Sequence, residues 1–122
     1  MIEINVNTAK FRVSVKGHAM PEESEDYRQI CAAASALAQS LMYCLTKMEE
    51  DGKSAYKSVE YRHDKGDIYI RVWPEHWAEL GTKNRITDYA DGMELLAMSH
   101  PESIRMLWDG DLITMSKEGE KA

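Results

Sequence analysis

The spacing of apolar residues changes after the first fifteen positions, and this change limits the folds that the chain can adopt. Apolar and polar residues alternate over residues 2–6 and again over 11–15. A period of two predicts strands with one buried face, and the short polar segment 7–10 between them predicts a hairpin. From Tyr27 to Glu50 the apolar residues instead recur every three or four positions, which predicts an amphipathic helix ended by Asp51-Gly52.

Later segments repeat both kinds of pattern. Residues 56–62 and 67–73 are strand-like and flank a turn, which predicts a central hairpin. Apolar residues between Ile86 and Ala97 predict a second amphipathic helix, and residues 103–108 are expected to form a short last strand. The predicted fold class is therefore α+β: a small antiparallel sheet, built from the N-terminal hairpin, the central hairpin and the C-terminal strand, packed with two helices.

Length and charge narrow the possible functions. The chain has 122 residues, and we expect one domain over residues 1–108 followed by a polar C-terminal tail over 109–122. The formal net charge is -6 and no stretch forms a basic stripe, so we expect no direct nucleic-acid partner. The sequence has neither a signal-peptide pattern nor an apolar run long enough for a membrane, so we expect a cytoplasmic protein with no membrane partner.

The residues best suited to chemistry are His18 and Cys31. His18 follows the second predicted strand, and Cys31 lies one turn into the first helix, three residues after Arg28. A thiol becomes a reactive thiolate near a base or in a positive field, and a helix start next to a histidine supplies both. A cysteine in an alanine-rich helix is more often a small buried hydrophobe, and spacing alone does not bring His18 to Cys31. From the residues alone, both interpretations stay open.

Two further residues of the same helix bear on this site. Ser35 lies four residues after Cys31 on the same helical face, where its hydroxyl would orient the site, although a helical serine more often bonds to its own backbone. Cys44 belongs to the predicted apolar stripe and is expected in the core. About 20 Å of helix would separate it from Cys31, so the two thiols should stay reduced. A thiol redox sensor is a third interpretation, but Cys44 would be badly placed as its resolving cysteine.

The remaining candidates carry less information. No histidine pairing matches a common zinc spacing, so we expect no metal and no cofactor; the residues in question are His63, His76 and His100. Tyr69, Trp73 and Trp77 would form either an aromatic surface or, as is more common for such residues, part of the core.

The segment from Gly17 to Ser35 resembles the ribosomal-processing cysteine protease family called Prp. Gly17-His18-Ala19, an acidic loop and then Ile30-Cys31-Ala32-Ala33 are similar to the family's motif. The order of hairpin, small-residue helix, central hairpin, second helix and closing strand is also similar, over roughly residues 1–108. The chain departs from the family at Arg28, where members usually carry an aspartate; Asp26 is the candidate replacement.

The resemblance implies a cysteine endopeptidase and homodimer in which Cys31 is the nucleophile and His18 the general base. Gly17, Asp26 and Ser35 would then support the site. The implied reaction removes a short N-terminal extension from a basic precursor protein, a large-subunit ribosomal protein. Alternatives are a phage protease that processes capsid or scaffold proteins, and a non-catalytic protein-binding module that keeps the fold.

Overall fold

A computed structural model describes residues 1–17 and 27–113, which form the predicted α+β fold. In chain order the elements are β1 (Ile2–Asn7), β2 (Arg12–Lys16), α1 (Tyr27–Thr46), β3 (Glu49–Glu50), β4 (Lys53–Ser54), β5 (Tyr56–Asp64), β6 (Asp67–Pro74), a short 3-10 turn (His76–Ala78), α2 (Glu79–Ser99), β7 (Ile104–Trp108) and β8 (Asp111–Ile113). Six strands form one sheet in the order β5-β6-β2-β1-β7-β8, and β3 pairs with β4 in a separate small sheet.

The sheet is antiparallel, as predicted, except where β1 meets β7. These two strands run in the same direction, with Ile4 opposite Met106. Both predicted hairpins are present, and β6 of the central hairpin pairs with β2 of the N-terminal one. The parallel pair arises because the chain reaches β7 through the helices, and a long crossover permits parallel pairing. Parallel and antiparallel strands show the same alternation of apolar residues, so the sequence pattern did not reveal that β1 and β7 are parallel.

The alternating residues place one face of the sheet against both helices. Val6, Val13 and Met106 are completely buried there. The helices contribute a row of buried residues each, which are Ile30, Ala34, Ala38, Leu41 and Leu45 of α1 and Thr82, Ile86, Tyr89, Ala90, Met93 and Ala97 of α2. Alanine in the α1 row allows the helix to lie close to the sheet. In the part of the chain that the structure describes, no helix is long and apolar enough to cross a membrane.

The end of α1 differs from the prediction. The helix stops at Thr46, and Glu49–Glu50 is a strand rather than the last turn of the helix. Asp51 and Gly52 both have positive φ angles, of 53° and 75°, and they form the two-residue turn between β3 and β4. Asp-Gly is typical of a type I′ hairpin turn, but the same dipeptide also occurs where helices end. The predicted helix end was wrong for this reason.

The tail boundary also differs from the prediction. We expected the last strand to end at Trp108 and a polar tail to begin at Asp109, but Asp111–Ile113 pairs with β7 and extends the sheet. Asp109 and Gly110 are again a two-residue turn with positive φ angles. Residues 114–122 lie outside the described residues.

The prediction that Cys44 lies in the core was wrong. Cys44 is exposed, because the buried row of α1 passes through Leu41 and Leu45 and leaves Cys44 outside it. It lines a cavity of about 230 Å³ between α1 and α2. Of the two interpretations left open for the aromatic residues, the surface one holds for Trp73 and Trp77, which are exposed, whereas Tyr69 is half-buried.

A residue in a polar tail would not affect stability, but Asp109 makes contacts within the fold. We therefore expect its side chain to stabilise the protein. Its carboxylate accepts hydrogen bonds from the Thr8 backbone N–H and hydroxyl, both at 2.7 Å. Asp109→Ala removes both bonds and places alanine at a φ of 50°, so we expect a loss of about 2 kcal/mol or more in unfolding free energy. Urea denaturation measures this value. Asp111→Ala, which removes a nearby exposed carboxylate, is the matched control, and equal stability of the two variants would contradict the assignment.

Candidate active site

Cys31 lies in the wall of a small cavity at one end of the sheet. The cavity has a volume of about 240 Å³ and is lined by Ile2, Val15, Gly17, Cys31, Ala32, Ala34, Ser35 and Gly66. Cys31 as a whole residue is half-buried, and the cavity that it lines also contains the apolar residues Ile2, Val15 and Ala34. Of the residues predicted for the site, the structure brings together Gly17, Cys31 and Ser35. His18 and Asp26 lie outside the described residues.

Gly17 is held in a position that other residues would not fit. Its φ angle is 84°, and a Cβ atom at this position would lie 2.5 Å from the carbonyl oxygen of Met1. Its backbone N–H donates a hydrogen bond of 2.9 Å to Asp67 Oδ1. The end of β2 is therefore fixed both by a close approach to the N-terminus and by a carboxylate from β6. Gly17 directly precedes His18, so these contacts set where the chain enters the segment that contains the histidine.

Cys31 lies near the start of α1, one turn after Arg28. The helix begins at Tyr27, so Cys31 is its fifth residue, close to the positive end of the helix dipole. The first turn of the described helix contains no acidic residue. Arg28, one turn before Cys31, is exposed and donates a hydrogen bond of 3.2 Å from Nε to the Tyr27 hydroxyl.

Ser35 has a side-chain partner in its own helix. Its hydroxyl oxygen accepts a hydrogen bond of 2.9 Å from Gln39 Nε2. The predicted alternative, a bond from serine to its own backbone, is therefore replaced by a bond between side chains. Because Ser35 also lines the cavity, Gln39 orients a hydroxyl beside the Cys31 position.

Gly66 and Asp67 were missed as site residues. The sequence predicts Gly66 in the turn of the central hairpin and Asp67 as the first residue of the strand that follows. Gly66 lines the cavity and Asp67 accepts the Gly17 hydrogen bond because β6 pairs with β2, with Ile68 opposite Val15, and this pairing brings the turn next to Gly17. The sequence does show a carboxylate directly after the turn, at Asp67. Its contact with Gly17 could be predicted only if the pairing of β6 with β2 were known. Within the described ranges, no group of three His, Cys, Asp or Glu residues is arranged to hold a metal.

Sequence comparison finds no match to this chain. No protein-family model matches it, and no curated protein matches it.

Structure comparison, in contrast, finds clear similarity. Two crystal structures of the essential ribosomal processing protease Prp from S. aureus match with TM-scores of 0.61 and 0.63 at 18% identity, covering 88% of this chain and 96% of theirs. The first contains a covalently linked product peptide and the second a substrate peptide. SMU.848 from Streptococcus mutans matches with a TM-score of 0.59 at 18% identity, over 93% of this chain and 92% of that one.

These matches confirm that the chain has the Prp fold, which the motif between Gly17 and Ser35 had indicated. The similarity extends over nearly the whole length of the solved chains. At 18% identity it shows the fold, and the activity must be argued from the site itself.

Replacement of Gly17 separates the effect of backbone strain from that of the close contact with Met1. Gly17→Ala should destabilise the protein by more than Gly110→Ala, because both glycines have φ angles near 90° but only Gly17 has an atom within 4 Å of the added methyl group. We expect about 1–2 kcal/mol from the positive φ angle in each variant, with an additional loss at Gly17. Urea denaturation of both variants measures the difference. Equal losses would show that the approach to Met1 imposes no constraint.

Proposed function

We propose that the protein is a cysteine endopeptidase that removes a short N-terminal extension from a basic precursor, a large-subunit ribosomal protein. Cys31 is the nucleophile and His18 the general base. The observation that carries the proposal is the shared cavity of Cys31 and Gly17, since Gly17 directly precedes His18 and is anchored by Asp67. The Prp fold supports the same assignment, because the proteins of that fold named above include a protease with a substrate peptide.

The proposed mechanism begins with proton transfer from Cys31 to His18. The Cys31 thiolate attacks the scissile carbonyl carbon, and backbone N–H groups at the start of α1 would stabilise the developing oxyanion. Collapse of the tetrahedral intermediate breaks the carbon–nitrogen bond, and His18 donates its proton to the leaving amine. Water then attacks the thioester and gives a proton to His18. Collapse of the second tetrahedral intermediate breaks the carbon–sulfur bond, His18 returns its proton to the Cys31 sulfur, and the carboxylic acid product leaves.

The charge of the chain supports a basic substrate. The sequence between His18 and Tyr27 contains four acidic residues, Glu22, Glu23, Glu25 and Asp26, and no basic one. An acidic segment next to the proposed general base would raise the local concentration of a positively charged precursor.

The homodimer and the cytoplasmic location stay predictions. A mass of one chain in solution light scattering would overturn the homodimer.

Alkylation rates test whether Cys31 is activated. Exposure alone favours reaction at Cys44, because Cys44 is exposed whereas Cys31 is half-buried. If the field of α1 and His18 stabilises the Cys31 thiolate, Cys31 should react with iodoacetamide at least about tenfold faster than Cys44 near neutral pH. Mass spectrometry of the labelled peptides gives both rates in one sample. Faster labelling of Cys44 would count against an activated nucleophile.

Cleavage of a precursor tests the activity itself. The substrate is a ribosomal protein that carries its N-terminal extension, and the product is identified by mass spectrometry. Cys31→Ala should abolish cleavage because no nucleophile remains, and His18→Ala should reduce it by at least about a hundredfold because the general base is lost. Cys44→Ala is the matched control and should cleave at the wild-type rate. Cleavage that survives Cys31→Ala would refute the assignment.

A further inference from the structure

The face of the main sheet opposite the helices is uncovered in the described structure and carries many of the basic residues. Side chains that alternate with the buried ones point to this open face, as the register requires. Its basic residues are Arg12, Lys16, Arg62, Arg71 and Arg105, and its acidic residues are Glu3, Glu60, Asp64 and Asp67. Glu3, Asp64 and Asp67 lie at the Gly17 end. The other end, near Arg12 and Arg71, is locally basic in a chain whose net charge is -6.

Two aromatic side chains on this face are each paired with an arginine. The Arg71 guanidinium lies 4.6 Å from the centre of the Trp73 ring, and that of Arg62 lies 4.3 Å from the centre of the Tyr69 ring. Trp73 is 37% exposed although tryptophan usually packs in cores. We define the arginine–aromatic patch as these four residues together with Arg12.

The patch contains positive charge that the described residues do not neutralise. Arg12 lies directly opposite Arg71 in the register of β2 and β6, and like charges in this arrangement repel each other. Glu60 lies opposite Arg71 on the other side, in β5, but its carboxylate pairs with Arg62. Neither Arg12 nor Arg71 forms a salt bridge within residues 1–17 and 27–113. The Nε atom of Arg71 is buried without a hydrogen-bond partner. The two unpaired guanidinium groups of Arg12 and Arg71 leave an excess of positive charge on this part of the face, and that charge favours an anionic ligand.

A cavity beside the patch adds two more cations. It has a volume of about 310 Å³ and is lined by Ala9, Lys10, Phe11, Lys57, Arg71, Val72, Trp73, Pro74 and Glu79. Lys10 comes from the turn between β1 and β2, and Lys57 from the irregular start of β5, so the fold joins cations that are far apart in the sequence. Glu79 is the one carboxylate among these lining residues. The cavity therefore offers three cations and an indole ring to one ligand.

We propose that this patch and its cavity bind single-stranded RNA. Cations that follow a phosphate backbone, together with aromatic rings and arginine planes on which bases stack, are the features by which proteins bind single strands. An acidic peptide would satisfy the cations but would not use Trp73 and Tyr69. Ser14 and Asn5 lie next to Tyr69 in the same row of the sheet and supply hydrogen-bonding groups for a 2′-hydroxyl. This site lies outside the proposed protease site.

Fluorescence anisotropy tests the proposal. The probe is a labelled single-stranded RNA of about ten nucleotides, and its binding to the full chain is measured over a series of salt concentrations. Arg71→Gln and Arg12→Gln should each reduce the slope of log affinity against log salt by about 0.7, because each removes one phosphate contact. Trp73→Leu should weaken binding about tenfold at every salt concentration and leave this slope unchanged, because it removes stacking but no charge.

Matched variants outside the patch control for charge and aromaticity. Lys83→Gln removes an exposed cation of α2, and Trp77→Leu removes an exposed indole of the 3-10 turn. Both should bind RNA as wild type does, as should Cys31→Ser. Circular dichroism verifies that each variant is folded. Absence of RNA binding at low salt would overturn the proposal, as would full affinity in Trp73→Leu. Equal or tighter binding of single-stranded DNA or of a polyglutamate peptide would overturn the assignment to RNA.

Discussion

Burial of one sheet face against α1 and α2 is the constraint on which the rest of the structure depends. Val6, Val13 and Met106 have no exposed surface, and truncating such residues typically costs about 2–5 kcal/mol. Because strand side chains alternate, this burial also fixes which residues point to the other face. A shift of one residue in β2 would place Arg12 in the core and Val13 in solvent. The core therefore determines the positions of both Gly17 and the arginine–aromatic patch.

The pattern of buried and exposed residues explains how much could be predicted from the sequence. The α+β class and both hairpins follow from apolar spacing, which is strong over residues 2–15 and 56–73. The two missed hairpin turns both contain Asp-Gly, at Asp51-Gly52 and Asp109-Gly110. In each case a short strand of only two or three residues follows the turn. Such strands have too few residues to show alternation, so only the turn signal was available.

The candidate site was less predictable, because it depends on strand order. Gly17, Cys31 and Ser35 were identified from a motif, and they share one cavity. Asp67 was missed, since its contact with Gly17 joins residues fifty positions apart and exists only because β6 pairs with β2. The arginine–aromatic patch and its cavity were missed because they too depend on the strand order. Lys10, Lys57 and Arg71 form no stripe in the sequence, yet they line one cavity in the fold.

The two proposed surfaces are separated by the geometry of the sheet. Arg12 and Arg71 of the patch lie where β2 begins, and the Cys31 cavity lies where β2 ends. Tyr69 and Arg62 of the patch lie level with the middle of β2. The patch is also on the open face, whereas Cys31 comes from a helix on the covered face. The patch and its cavity therefore share no residue with the lining of the Cys31 cavity. Substitutions at distant sites with no shared partners usually have additive effects, so we expect the two activities to be lost independently.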